Sequence, residues 1–471
     1  MMLTVNFWES NVWGFLLLIF IVLASLLFGN YLRRTIKAIR KSLIPASVIG
    51  GIVLLIISTI TKLVSGNSFF DSFAFNNRGL EVLEIMTYHF LGIGFVAMAL
   101  KTNDKKFTKE KNVKIFNSGI VTVSTYLLQA FVGMIITIIF ALCGSKLTFK
   151  AAGVLLAFGF GQGTGQAYNY GSMFENDFSF SGGSDFGLTI AALGFLSAAI
   201  GGVIYLNILK MKNKIYVNDN EVEEEVKLED FHSKNEIPQS ESIDKLTVQI
   251  GLIIGSYLLA YFVMLGIGEL IPGLKSLIFG FNFLIGTIMA ICVKSVMKFF
   301  QKKKIMKKQY ISNYFMDRIG GFAFDMMIVS GIAAIKIDLI AKYWIVLLVM
   351  GIIGAFVTFF YVLFTSKALF KDYQYEQFFA MYGMLTGTAS TGIILLREID
   401  PKFESDASSN LVYQTLPAIV FGFPMMFLPK FAGASDFNTY LTLGILLILF
   451  IVMNVILFRK SIFKKKVKVN G

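Results

Sequence analysis

Histidine and cysteine are nearly missing from this chain, with two of each in 471 residues. Cys143 and Cys292 both fall in apolar runs, which excludes a disulfide framework and a CxxC metal site. His89 and His232 are too few for a histidine-based metal centre of the usual type. Nor is there a clustered nucleophile and base, so an enzyme is not expected, nor any cofactor. Charge is scarce as well, at 15% of residues against 55% hydrophobic. The first 30 residues lack a basic leader region, and the apolar run from Val12 passes directly into "NYLRRTIKAIRK". They read as a first permanent helix and not as a cleaved signal.

What the chain does have is phenylalanine, 48 of them, and repeated apolar runs near 20 residues long. That is the length a helix needs to cross roughly 30 Å of hydrocarbon. The reading is an all-α polytopic membrane protein, and a soluble globular chain is excluded. The formal charge of +13 does not indicate nucleic acid. Met211 to Lys245 holds ten acidic and five basic residues, so the positive surplus sits elsewhere, in short loops beside apolar runs. Such loops mark the cytoplasmic face of an integral membrane protein.

About eleven spans are expected: 12–31, 43–64, 80–100, 115–143, 187–209, 247–270, 276–298, 314–335, 343–366, 411–428 and 436–458. Two segments are ambiguous. One is 150–172, containing "GFGQGTGQAYNYG"; the other is 375–396, "YEQFFAMYGMLTGTASTGIILL". The basic loops 33–41, 101–114, 210–214, 298–308, 366–371 and 459–468 should all be cytoplasmic. Parity then requires each ambiguous segment to cross an even number of times, and each is too short to cross twice. Both are expected to be re-entrant hairpins, the first from outside and the second from inside. The N-terminus is expected outside and the C-terminus in the cytoplasm of a cell-membrane protein. Non-helical backbone at that depth is tolerated only where it packs in protein or lines a wet cavity.

The two hairpins align at an offset of 224, pairing Gly159 with Gly383, Gly163 with Gly387 and Thr164 with Thr388. Upstream, "FVAMALK" (95–101) resembles "SGIAAIK" (330–336) in the same order. This indicates a duplication, residues 1–210 and 246–430, each copy having five spans and one hairpin. An odd number of crossings inverts the second copy, as in secondary transporters that work by alternating access. Residues 211–245 read as a charged cytoplasmic linker. Residues 431–471 supply one extra transmembrane helix and a basic tail.

"GFGQGTGQAYNYG", "YGMLTGTASTGIILLREIDP" and "GGFAFDMMIVSGIAAI" together resemble the sodium/glutamate symporter family, over residues 1–430 or so. The resemblance implies a ten-helix inverted-repeat core, Na+-coupled uptake of glutamate and a homodimer. "GQGTG" and "TGTAS" depart from a strict GGxxG pattern, and the eleventh span departs as well, which leaves the substrate open. A Na+- or H+-coupled carrier of di- or tricarboxylates is the neighbouring reading. An ion channel is a remote one, since no TVGYG-like filter is present.

Broken helices offer carbonyls to Na+ and free N–H groups to a carboxylate. The candidate binding residues in the first hairpin are Gly161, Gln162, Gly163, Thr164, Gly165 and Gln166. In the second they are Thr386, Gly387, Thr388, Ser390 and Thr391. Asp325, about mid-span, is a further candidate for Na+ or a coupling proton; the alternative is a structural pair with Arg318. Thr164, Thr388 and Asp325 are the possible Na+ ligands. Against all these hydroxyls stands the alternative that they bond their own backbone.

Arg397 has the fork that suits a carboxylate, but it adjoins Glu398 and Asp400, so a surface ion pair is as good a reading. Asp317 and Arg318 are expected to be a solvated pair, and His89 a hydrogen-bonded structural residue on a stripe with Glu81, Glu84 and Tyr88. Glu175, Asp177, Asp185 and Glu269 are assigned only solvation.

Overall fold

A computed structural model describes residues 10–102, 108–144, 149–215, 244–272, 275–306, 308–400 and 404–462. Among them are helices and no strands. In chain order the first are α1 (Ser10–Thr35), α2 (Lys37–Lys41), α3 (Ala46–Ser65), α4 (Gly79–Leu100) and α5 (Lys109–Leu142). A 3₁₀ turn (Lys150–Val154) and a π turn (Ala157–Gly161) precede α6 (Thr164–Phe178) and α7 (Gly183–Met211). Then come α8 (Lys245–Leu270), α9 (Lys275–Gly280), α10 (Asn282–Lys302), α11 (Asn313–Ala333) and α12 (Ile337–Leu369). The last are α13 (Gln374–Thr386), α14 (Ala389–Arg397), α15 (Asp406–Tyr413), α16 (Thr415–Gly422), α17 (Leu428–Gly433) and α18 (Asp436–Ile462).

Nine helices among the described residues are long and apolar enough to cross a membrane: α1, α3, α4, α5, α7, α8, α10, α12 and α18. The expected span 314–335 is the 21-residue α11, which carries Asp317, Arg318 and Asp325. The expected span 411–428 is no single helix. Prolines at 417, 424 and 429 remove backbone donors and clash with the preceding turn, and the segment from α15 through α17 bends by 48°. Most of the expected linker, positions 216–243, and the tail beyond 462 lie outside the described residues.

The chain forms two compact units, each drawing on both halves of the sequence. Unit one holds α1, α3 and α4 with α8 to α11. Its core is Val96, Ala97 and Leu100 of α4 with Ile253, Ala290, Met297, Ile311 and Met316. Glycines let its helices approach: a Cβ on Gly92 would stand 2.4 Å from the Tyr257 ring, and one on Gly94 2.7 Å from Phe324. The free carbonyls at the C-terminal end of α4 are met by Lys294 Nζ, which donates to Ala99 O at 2.5 Å and Lys101 O at 2.9 Å.

Unit two holds α2, α5 to α7 and α12 to α18. The long α5 starts at Thr108, whose hydroxyl caps it by accepting from Lys111 N at 3.3 Å. It packs against α12 and α18. Both glycine-bearing segments belong to this unit, and each doubles back on itself. In the first, Phe158 stacks near Tyr170 with ring centroids 3.9 Å apart, and Phe149 meets Phe174 at 5.0 Å. In the second, α13 and α14 lie so close that a Cβ on Gly392 would stand 2.3 Å from Ala380 O.

Candidate functional site

The two doubled-back segments meet at their breaks. The first breaks at Gln162–Gly163, between the π turn and α6; the second at Gly387–Thr388, between α13 and α14. A Cβ on Gly163 would stand 3.4 Å from Thr388 Cγ2 and 3.5 Å from Gly387 O. Gly163 has φ +85° and ψ −173°, a conformation open almost only to glycine. Gly387, its partner in the sequence alignment, has φ −152° and needs no such licence.

Two helices begin at this meeting point, and neither has a side-chain cap. Gly163 precedes α6 and has nothing to offer; Thr388 precedes α14 and makes no cap bond. The first N–H groups of each helix have no partner within it, and each helix end carries roughly half a positive charge. The side chains around them are buried and unsatisfied. Thr164 Oγ1 and both polar atoms of Gln166 have no hydrogen-bond partner, although these residues are 0% and 1% exposed. Buried polar groups are normally paired, and these three atoms at the first break are exceptions.

Of the sequence candidates, Gly161, Gly163, Thr164, Gly165 and Gln166 are buried at the first break and Gln162 is half-buried there. Gly387 is buried, Thr388 half-buried and Thr391 buried at the second, with Thr388 and Thr391 hydroxyls 3.4 Å apart. Thr386 is also at hand, but its hydroxyl donates to Tyr382 O of its own helix at 2.6 Å. The Ser390 side chain lies outside the description. Arg397 is exposed at the far end of the nine-residue α14, about 12 Å from the break at 1.5 Å per residue. Asp325 belongs to unit one, half-buried on α11 beside Ser47 of α3.

The model of the sodium/glutamate symporter family matches residues 14–405. The chain belongs to that family. Its function is Na+-coupled glutamate transport, and the nine apolar helices among its described residues fit that work. No curated protein and no solved structure matches it. The match stops before α15, so the bent segment and α18 lie beyond it.

Beside the second break, and along α5 away from it, the symporter has buried polar residues that the sequence motifs did not announce. Gln129 of α5, 1% exposed, donates from Nε2 to Leu385 O and to Thr358 Oγ1, both at 2.9 Å. Gln414 accepts from Ser118 Oγ at 2.6 Å and from Thr122 Oγ1 at 3.0 Å. Gln377 donates to Ser118 Oγ at 3.0 Å, and Asn410 Nδ2 donates to Gln377 Oε1 and Tyr373 Oη at 2.9 Å. Burial holds the Tyr373 phenol well above its ordinary range, so it stays a neutral partner. A signal was available: Ser118, Thr122, Thr125 and Gln129 recur at helical spacing and form one polar face of α5.

Several assignments to solvent need correction. Asp185 is 3% exposed and accepts from Lys336 N at 2.7 Å, tying the start of α7 to the start of α12. Glu175 accepts from Gly182 N at 2.9 Å and Ser184 Oγ at 2.5 Å, and Asp177 pairs with Lys430. In these cases a carboxylate meets helix N–H groups or a cation in a turn that folds back, which spacing along the chain does not reveal. Glu269 does stay at the surface, paired with Lys275 at 2.5 Å. Asp317 and Arg318 are not a pair: Asp317 bonds Lys101 at 2.6 Å, and Arg318 lies over the Tyr314 ring. His89 is hydrogen-bonded as expected, its Nδ1 3.1 Å from Tyr257 Oη.

Proposed function

We propose that glutamate and the coupling Na+ bind where the two breaks meet, and that the symporter moves them by alternating access. The single observation that supports this most is the convergence of two uncapped helix N-termini, α6 and α14, beside buried side chains with unused polar atoms. Free N–H groups and the positive helix ends suit a carboxylate of the substrate. Thr164, Thr388, Gln162 and the carbonyls at the breaks suit Na+, a hard cation that takes oxygen ligands. Arg397 is left out of the site by its distance. Asp325 is kept as a separate cation contact within unit one.

The two doubled-back segments are, in this reading, re-entrant hairpins of an inverted repeat, residues 1–210 and 246–430. Support comes from the composition of the units: unit one takes α1, α3 and α4 from the first copy and α8, α10 and α11 from the second. Unit two likewise takes α5, a hairpin and α7 from the first, and α12, a hairpin and the bent segment from the second. The basic loops put the C-terminus in the cytoplasm and the N-terminus outside.

Purified protein in liposomes tests the site. An inward Na+ gradient should drive concentrative uptake of labelled glutamate. Thr164→Val, which keeps the volume and removes the unsatisfied hydroxyl, should raise the Na+ concentration for half-maximal uptake about tenfold, equivalent to roughly 1.4 kcal/mol. An unchanged Na+ requirement would remove Thr164 from the site.

A further inference from the structure

The first hairpin, the second hairpin and α5 share one side chain, and one end of it is idle. Gln129 sits more than five turns into α5, buried, with its amide nitrogen held by Leu385 O and Thr358 Oγ1. Leu385 O can only accept, so this contact fixes which end of the amide is nitrogen. The opposite end, Oε1, is therefore aimed away from α13. It has no hydrogen-bond partner. It stands 2.8 Å from where a Cβ on Gly161 would be, over the bare backbone at the end of the π turn. Gly161 must be glycine here, since the same Cβ would stand 2.4 Å from the Tyr126 ring.

We infer that Gln129 Oε1 is a ligand of the transported cation. The inference rests on the reading that the ion binds at the meeting of the two breaks, two and three residues from the backbone positions that Gln129 touches. Leaving a buried amide oxygen unpaired is costly. A cation arriving at the breaks satisfies it with no rearrangement, because the nitrogen end is already clamped. The same clamp joins the two hairpins through one residue, so a shift of Leu385 relative to Gly161 removes the oxygen from its position. An oxygen of this kind suits either Na+ or the ammonium group of an amino acid, and the assignment here is to Na+.

The test uses the full-length purified protein and reads its melting temperature against NaCl at constant ionic strength, choline replacing Na+, without glutamate. Wild type should be stabilised by Na+ with a defined midpoint. Gln129→Met, similar in volume but without the acceptor, should raise that midpoint by roughly tenfold or more. A purely structural amide would instead lower the melting temperature equally at every Na+ concentration and leave the midpoint unmoved, which overturns the inference. A normal Na+ midpoint with a raised glutamate midpoint at saturating Na+ gives the oxygen to the substrate's ammonium and also overturns it. Should Gln129→Met not fold, Gln129→Asn decides: it keeps the amide but draws its oxygen back by one methylene, so its Na+ midpoint should rise, and an unchanged midpoint overturns the inference. If wild type itself shows no stabilisation by Na+, the underlying reading fails; if Thr164→Val shifts the midpoint and Gln129→Met does not, only the inference fails.

Discussion

At the scale of single residues, the site depends on glycines whose conformation or neighbours admit nothing larger. Gly163 is the sharpest case, because φ +85° with ψ −173° penalises any side chain. Gly163→Ala is expected to destabilise the protein by about 1–3 kcal/mol through backbone strain alone, read as a lower melting temperature with glutamate uptake lost. A melting temperature equal to wild type would mean that the break relaxes freely. Asp325 tests a different idea, that unit one also holds a cation. Asp325→Asn should raise the Na+ requirement for uptake about tenfold if its charge is used; an unaltered requirement would leave the work to unit two. The glycines and hydroxyls of both breaks were legible from their neighbours in sequence. Gln129 showed only as one of a polar face on α5 and Asp185 not at all, because what makes them matter is a partner more than a hundred positions away.

At the scale of elements, helix pairs close enough to interlock decide the geometry. Gly187, Gly194 and Gly201 recur every seven residues along α7, each against a different part of the hairpin pair. Gly187 faces Ala167 O, Gly194 faces Thr386 O, and Gly201 faces Tyr382 Oη, each within 2.5 Å of where a Cβ would be. A methyl at position 194 cannot be absorbed by a rotamer change, since the neighbour is backbone. Gly194→Ala should cost about 1–3 kcal/mol and slow uptake, whereas Gly251→Ala on α8, where a Cβ meets nothing within 4 Å, should do neither. Melting curves of the two variants side by side check this. The heptad of glycines was visible in the sequence, but its meaning was not, for small residues at that spacing fit any close helix contact.

At the scale of the whole molecule, hydropathy gave most of the helices. Helices occupy the expected spans, and α13 and α14 fall within one or two residues of the expected 375–396. The count failed only where physics other than hydropathy intervenes: prolines at 417 and 424 break 411–428, and three ionisable residues lower the apolar character of α11. The grouping into units was not legible, because each unit is assembled from segments of both halves of the chain. The proposed orientation has a direct check. A membrane-impermeant thiol label on a cysteine placed at position 468, in a protein whose exposed Cys143 and Cys292 are replaced by serine, should react only after the cells are opened. Reaction in intact cells would reverse the topology and with it the parity argument for re-entrant hairpins.

One further contact ties the terminal helix into this arrangement. Asn454 of α18 donates to Ser124 Oγ at 3.0 Å and accepts from Tyr361 Oη at 2.9 Å, while those two hydroxyls also bond each other. This three-cornered clasp reaches α5 and α12 at once, although α18 lies past the stretch the family shares. Losing such a helix would take away the acceptor of the Tyr361 hydroxyl in oil, where an unpaired polar group is heavily penalised. Shedding the appendage is therefore costly until Tyr361 has turned apolar, and that cost holds the longer chain in place.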